Sequence, residues 1–153
     1  MDIQCEVKER SDMPVMSVRT RCPVAELKPT IGQNYARIAT YLAGLGKQPT
    51  YAPFVVYYNM DMNDLDVEVG FPAEAGLPGE GEIQANTLPS GKALSAMYTG
   101  SYEKMAEAYA VIDHWAKEHN LKYTGVVYEF YHNDPAVTPP EQLITEIVFP
   151  LAD

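Results

Sequence analysis

Two parts of this chain repeat each other. DLDVEVGFPA, residues 64 to 73, overlies QLITEIVFPL, residues 142 to 151, with Leu, Glu, Phe and Pro matching at a constant offset of 78. YARIATYLAGLG from Tyr35 overlies YAVIDHWAKEHN from Tyr109 at an offset of 74, which places Ile38 over Ile112 and Tyr41 over Trp115. Between them, PFVVYYN from Pro53 reads against GVVYEFY from Gly125 at an offset of 72. A period this long is the mark of a duplicated supersecondary unit, whose copies bury together an apolar face that neither buries alone.

Periodicity gives the content of each copy. In the first, strands are expected near 3–9 and 14–21, a helix near 29–45 with Pro29 in its first turn and Gly46 at its end, and strands near 53–59 and 64–71. The second has strands near 82–88 and 92–99, then a helix near 101–119. Ser101 is its expected cap, with Lys104 standing where a capping box would place Glu. Strands near 123–131 and 144–150 close the chain. The order is ββαββ twice, an α+β class. The whole of 1–153 reads as one domain: repeat 1 about 1–73, a Gly/Pro/Glu linker over 74–81, and repeat 2 about 82–153. Ile31, Tyr35, Ile38 and Leu42 form one helix stripe, and Met105, Tyr109, Ile112 and Ala116 the other, at the spacing that packing against a sheet requires.

Composition limits the function. Apolar residues make up 46% and charged residues 21%, a globular balance. No run approaches the length of a membrane helix and MDIQCEVKER has no signal-peptide apolar core, so the expectation is a cytoplasmic protein without a membrane partner. Eleven Lys and Arg against 21 Asp and Glu leave a formal charge of −10, which argues against direct nucleic-acid binding and suits a cationic ligand. Cys5, Cys22 and three scattered histidines have no metal-ligand spacing, so no metal or cofactor is expected.

Candidate site residues come from strand alternation. In the last strand Thr145, Ile147 and Phe149 share one face, and Ile144, Glu146 and Val148 the other. In the strand before it, Val126, Tyr128 and Phe130 oppose Val127, Glu129 and Tyr131. If the apolar sets pack on the helices, Glu129 and Glu146 lie together on the opposite face, with Val127, Tyr131 and Val148 around them. Tyr57 and Glu68 are the corresponding places in the first copy. A carboxylate amid Ile and Val is costly to bury without a counter-charge, so this face is expected to meet a positive ligand. The 11 tyrosines supply rings on which a flat cation can stack. No Gly-rich phosphate loop, GxSxG elbow or spaced nucleophile is present.

These residues also carry a family resemblance. Gly100 and Tyr102 before the second helix, Tyr109 and Trp115 within it, Tyr128 to Tyr131, and the closing Pro140 to Pro150 resemble the GyrI-like small-molecule-binding domain, the effector-binding domain of AraC- and MerR-type multidrug-responsive regulators. DVEVGFP in the first copy is also typical, and the likeness spans nearly the whole chain. It implies a duplicated fold with a pseudo-two-fold axis and a ligand groove between the repeats, and the repeat itself predicts an antiparallel sheet with both helices on one side. It further implies that glutamates and tyrosines, here Glu129 and Glu146, hold bulky lipophilic and often cationic compounds. On these residues, the chain is expected to depart from the regulators in carrying no DNA-binding domain.

Three functions remain in view. The first is a binding protein that senses or sequesters such compounds. The second, also suggested by the resemblance, is a hydrolase of strained cyclopropane-bearing toxins in which Glu129 or Glu146 moves protons. The third is an acidic inhibitor of a DNA-handling enzyme.

Overall fold

A computed structural model describes all 153 residues. Its elements follow the ββαββ order twice: β1 (Asp2–Arg10), β2 (Met13–Cys22), α1 (Leu27–Gly44), β3 (Phe54–Tyr57) and β4 (Leu65–Pro72), then β5 (Gln84–Leu88), β6 (Gly91–Thr99), α2 (Met105–Glu118), β7 (Val127–Tyr131) and β8 (Ile144–Pro150). The second helix starts later than its pattern suggested. Ser101 lies in extended backbone before a one-turn 3₁₀ segment, Tyr102–Lys104, and its side chain makes no capping bond. The turn is held instead by two other bonds: Gly100 N–H donates to the Leu143 carbonyl at 2.8 Å, and the Tyr98 hydroxyl donates to the Ser101 carbonyl at 2.7 Å. A Cβ on Gly100 would come within 2.5 Å of that hydroxyl, so the turn needs glycine for space.

Two compact units result, and they do not follow the sequence repeats strand for strand. One, the α2 unit, comprises Met1–Arg10 and Gly91–Asp153; the other, the α1 unit, comprises Ser11–Ser90. In the α2 unit the strands run in the order β1-β6-β8-β7, and in the α1 unit β3-β4-β2-β5. All of these pairings are antiparallel. Thus β1, the first strand of the first copy, pairs with β6 of the second, while β5 pairs with β2 of the first. Each copy lends its opening strand to the other copy's sheet, so neither completes a sheet from its own residues.

Each helix covers one face of its sheet. In the α2 unit Ala108, Ile112 and Ala116 pack with Leu94, Ala96 and Tyr98 of β6, Val127 of β7, and Ile147 and Phe149 of β8. In the α1 unit Ile38 and Leu42 pack with Met16 and Val18 of β2. Corresponding aromatic contacts recur: Tyr109 meets Phe149 edge-on at 5.8 Å between ring centroids, and Tyr35 meets Phe71 at 5.2 Å. At full burial each of the Val, Leu, Ile, Phe and Met side chains among them contributes roughly 1.5–3 kcal/mol. No helix is long and apolar enough to cross a membrane.

Candidate functional site

Strand register decides which carboxylates meet. Glu129 stands opposite Ile147, Tyr131 opposite Thr145, and Phe130 opposite Glu146. Directly paired residues share a face, so Glu129, Val127 and Tyr131 lie on the side that packs against α2, and Glu146 lies on the other with Phe130, Tyr128 and Val148. The expectation that Glu129 and Glu146 share a face is therefore corrected. In β8 the face assignment from apolar content holds. In β7 it inverts, because Tyr128 and Phe130 on the far face are as buried as Val127 on the helix face, and hydrophobic contrast carries no information there.

Glu129 is 7% exposed and is held by tyrosines alone. The hydroxyl of Tyr109, on the inner stripe of α2, donates to Oε2, and the Tyr131 hydroxyl donates to Oε1 at 2.7 Å. Burial pushes this carboxyl above its ordinary range, and the two hydroxyls pull it only part of the way back. Tyr102, on the 3₁₀ turn, packs edge-on against Tyr131 at 5.9 Å and remains 38% exposed. Partial burial and the nearby charges of Glu129 and Asp134 raise the Tyr102 hydroxyl. The arrangement is a desolvated acid walled by three phenol rings, with no cation beside it.

Glu146, more deeply buried than Glu129, is neutralised from within the unit. Arg10 of β1 places Nη1 3.3 Å from Oε2. His132 directs Nε2 at Oε1 from 3.0 Å, so that nitrogen carries the proton and donates it. Ser95 of β6 lies 3.4 Å from Oε2. The Arg10 guanidinium also lies 5.4 Å from the centroid of Phe130.

Glu68 of β4 is the counterpart in the α1 unit. Ser17, the equivalent of Ser95, donates to it at 2.6 Å, and Asn86 of β5 donates at 2.9 Å. Tyr58, standing where the other unit has His132, donates to the second oxygen. Arg19 approaches only indirectly, with its guanidinium 3.8 Å from the Tyr58 ring centroid and its nitrogens bonded to Asp66. Tyr57 pairs with Val67, on the sheet face opposite Glu68.

These registers also correct one repeat alignment. Val56 pairs with Glu68 as Phe130 pairs with Glu146, so β3 and β7 correspond at an offset of 74 instead of 72. The place of Glu129 is therefore taken by Val55, and Tyr57 matches Tyr131. Strand alternation had no means to find Arg10, His132 or Ser95, which reach their places through pairing between distant strands. Tyr109 was visible only as one member of a core stripe. A separate cleft of about 490 Å³ opens in the α2 unit among Asp2, Tyr98, Ser101, Lys104, Glu107 and Glu141; it includes none of the glutamates singled out by alternation.

Known structures share this fold. The C-terminal domain of EcmrR superposes with a TM-score of 0.81 at 24% identity, covering 100% of this chain and 99% of that one. In the EcmrR–DNA complex the same match spans 58% of the longer EcmrR chain. SAV2435 bound to tetraphenylphosphonium has a TM-score of 0.66 at 11% identity, covering 97% of this chain and 94% of that one. A hydrolase from Listeria innocua has a TM-score of 0.69 at 11% identity, covering 97% and 92%. No curated protein sequence matches the chain. The family model of the GyrI-like small-molecule-binding domain matches residues 3–152, nearly the full length over which the duplicated strands and helices run, and the chain belongs to that family.

Proposed function

We propose that this protein binds bulky lipophilic cations at Glu129 and, as a cytoplasmic protein, senses or sequesters them. The observation that carries the reading is a carboxylate almost wholly removed from water whose only bonds come from the hydroxyls of Tyr109 and Tyr131. A buried acid in that state is disfavoured as the anion until a positive charge arrives, and the tyrosine faces add cation–π attraction of roughly 0.5–2 kcal/mol each. Glu146 and Glu68 have a different part. Each already has a full set of donors, and Glu146 has a cation, so they act as internal struts of their sheets. The likeness to a protein captured with tetraphenylphosphonium supports the ligand class.

The test is Glu129→Gln against a matched pair of dyes, one cationic and one neutral, of the same size. Affinity for the cation should fall by roughly 1.5–3 kcal/mol, the range for a charge-assisted contact, and the neutral dye should bind about as before. Equal losses for both dyes would mean that Glu129 shapes the site without reading charge.

A second reading rests on the same raised carboxyl. A glutamic acid whose carboxyl burial raises holds its proton to higher pH than a free one, and with a tyrosine hydroxyl 2.7 Å away it is equipped to protonate a leaving group. Under that reading Glu129→Gln still binds a ligand that the wild type consumes, and mass analysis after incubation separates the two.

A further inference from the structure

Thr145 lies in β8 between Tyr98 of β6 and Tyr131 of β7, directly paired with both. It therefore shares the helix-side face with Tyr131 and Glu129. Its side chain is wholly buried and its Oγ1 has no hydrogen-bond partner. A buried hydroxyl without a partner is unfavourable relative to a methyl group of the same shape, and valine is that isostere.

The other unit uses the isostere. Val67 occupies the place of Thr145 at the offset of 78, equally buried and paired with Tyr57. Val55 occupies the place of Glu129. The two helix-side polar groups of the α2 unit are thus both replaced by valine in the α1 unit, where the same backbone register packs without them. Packing alone does not call for the hydroxyl.

From this pair we infer that Thr145 is a second polar contact of the Glu129 site, and that the site favours lipophilic cations bearing N–H groups, such as protonated amines or amidines, over fully quaternary ones. This rests on the reading of Glu129 as the ligand's counter-charge. A charged N–H donates to the carboxylate and, from the same nitrogen or its neighbour, to the threonine Oγ1. A quaternary centre satisfies the carboxylate's charge and leaves the hydroxyl as it was. Tyr102, the exposed ring against Tyr131, marks where the site meets solvent.

The experiment uses a fluorescent primary-amine dye, protonated at pH 7 and so carrying three N–H donors on one nitrogen, and its N,N,N-trimethyl quaternary counterpart, titrated against wild type, Thr145→Val, Thr145→Ser and Glu129→Gln. The wild type should prefer the N–H dye. Thr145→Val should weaken that dye about 10- to 150-fold, the range of one hydrogen bond to a charged donor, and leave the quaternary dye within about twofold. Thr145→Ser should keep the preference. Thr145→Val should also melt no lower than wild type. Equal effects on both dyes, no effect on either, or a marked fall in Tm would each overturn the proposal, the last by showing that the hydroxyl holds the fold. If Glu129→Gln weakens both dyes while Thr145→Val changes neither, only the role of Thr145 fails. If Glu129→Gln changes neither dye, or the wild type binds neither, the reading of Glu129 fails first and this inference with it.

Discussion

The α1 and α2 units share a topology, a helix stripe and a buried glutamate at the same strand position, yet they handle carboxylates differently. Glu68 is surrounded by neutral donors, Ser17, Tyr58 and Asn86, and Arg19 stands one ring further out. Glu146 keeps the serine but has His132 in place of the tyrosine and Arg10 in direct contact. On the helix face the contrast is sharper, because Val55 faces α1 where Glu129 faces α2. On the proposed reading, the duplicated unit keeps one buried acid as part of its frame in both copies and converts a second position into a site in only one. The frame acid is recognised by its full set of partners, and the site acid by what it lacks.

The largest effect is expected where the two frame acids differ. Glu146→Gln leaves the Arg10 guanidinium, itself mostly buried, without its counter-charge. Breaking such a pair costs about 3–5 kcal/mol when both ions are fully buried, and the partial exposure of Arg10 sets the expectation near ~3 kcal/mol. Glu68→Gln removes an acceptor from three neutral donors that can partly reorient, a loss of about 1–3 kcal/mol. Urea unfolding at pH 7 measures both. Equal losses would show that the arginine adds nothing to the frame in the α2 unit and would erase the distinction between the two acids.

The site acid should behave in the opposite way, and pH reveals it. The folded carboxyl of Glu129 lies above its unfolded value, so folding favours its protonated form. Its unfavourable contribution is fully developed above the raised folded value and disappears below the unfolded one. Glu129→Gln should therefore be more stable than wild type at neutral pH, and this advantage should vanish as pH falls through the ordinary carboxylate range. Tm profiles of both proteins check it. A mutant less stable than wild type at neutral pH would place Glu129 with the frame acids. The same linkage strengthens cation binding as pH rises through the raised value.

Much of this was legible in the sequence, and the limits have physical causes. The repeat at offsets of 74 and 78 carried the ββαββ order, because helix stripes and strand alternation are local patterns. Glu129 and Glu146 stood out for the same reason. What the sequence could not assign was the face of β7. Val127, Tyr128, Glu129 and Phe130 are all buried, and in a strand covered on both sides alternation identifies two sets without saying which one meets the helix. The exchange of β1 and β5 between the sheets was equally hidden, since strands far apart in the chain choose each other through global topology. For that reason Arg10, at the end of a polar-looking strand, gave no sign of its pairing with Glu146.

The smallest effect separates the two helix tyrosines that occupy equivalent places. Tyr35 donates to the Phe54 carbonyl at 3.0 Å, a neutral acceptor, and Tyr109 donates to Glu129. Removing one neutral hydrogen bond by Tyr35→Phe should cost about 0.5–1.5 kcal/mol, with the same value at every pH where the fold is stable. Tyr109→Phe removes a donor that holds the Glu129 carboxyl down, so that carboxyl should rise further in the mutant. At low pH, where Glu129 is protonated in both states, the two substitutions should cost about the same. As pH rises through the carboxyl's raised range, the anion loses one of its two donors, and the cost of Tyr109→Phe should grow toward the roughly 1.5–3 kcal/mol of a bond to a charged group, while that of Tyr35→Phe stays flat. Parallel urea titrations from acid to neutral pH measure the divergence. Two flat curves would mean that Glu129 stays protonated throughout, which would turn the site from one that answers a cation into one that offers a proton.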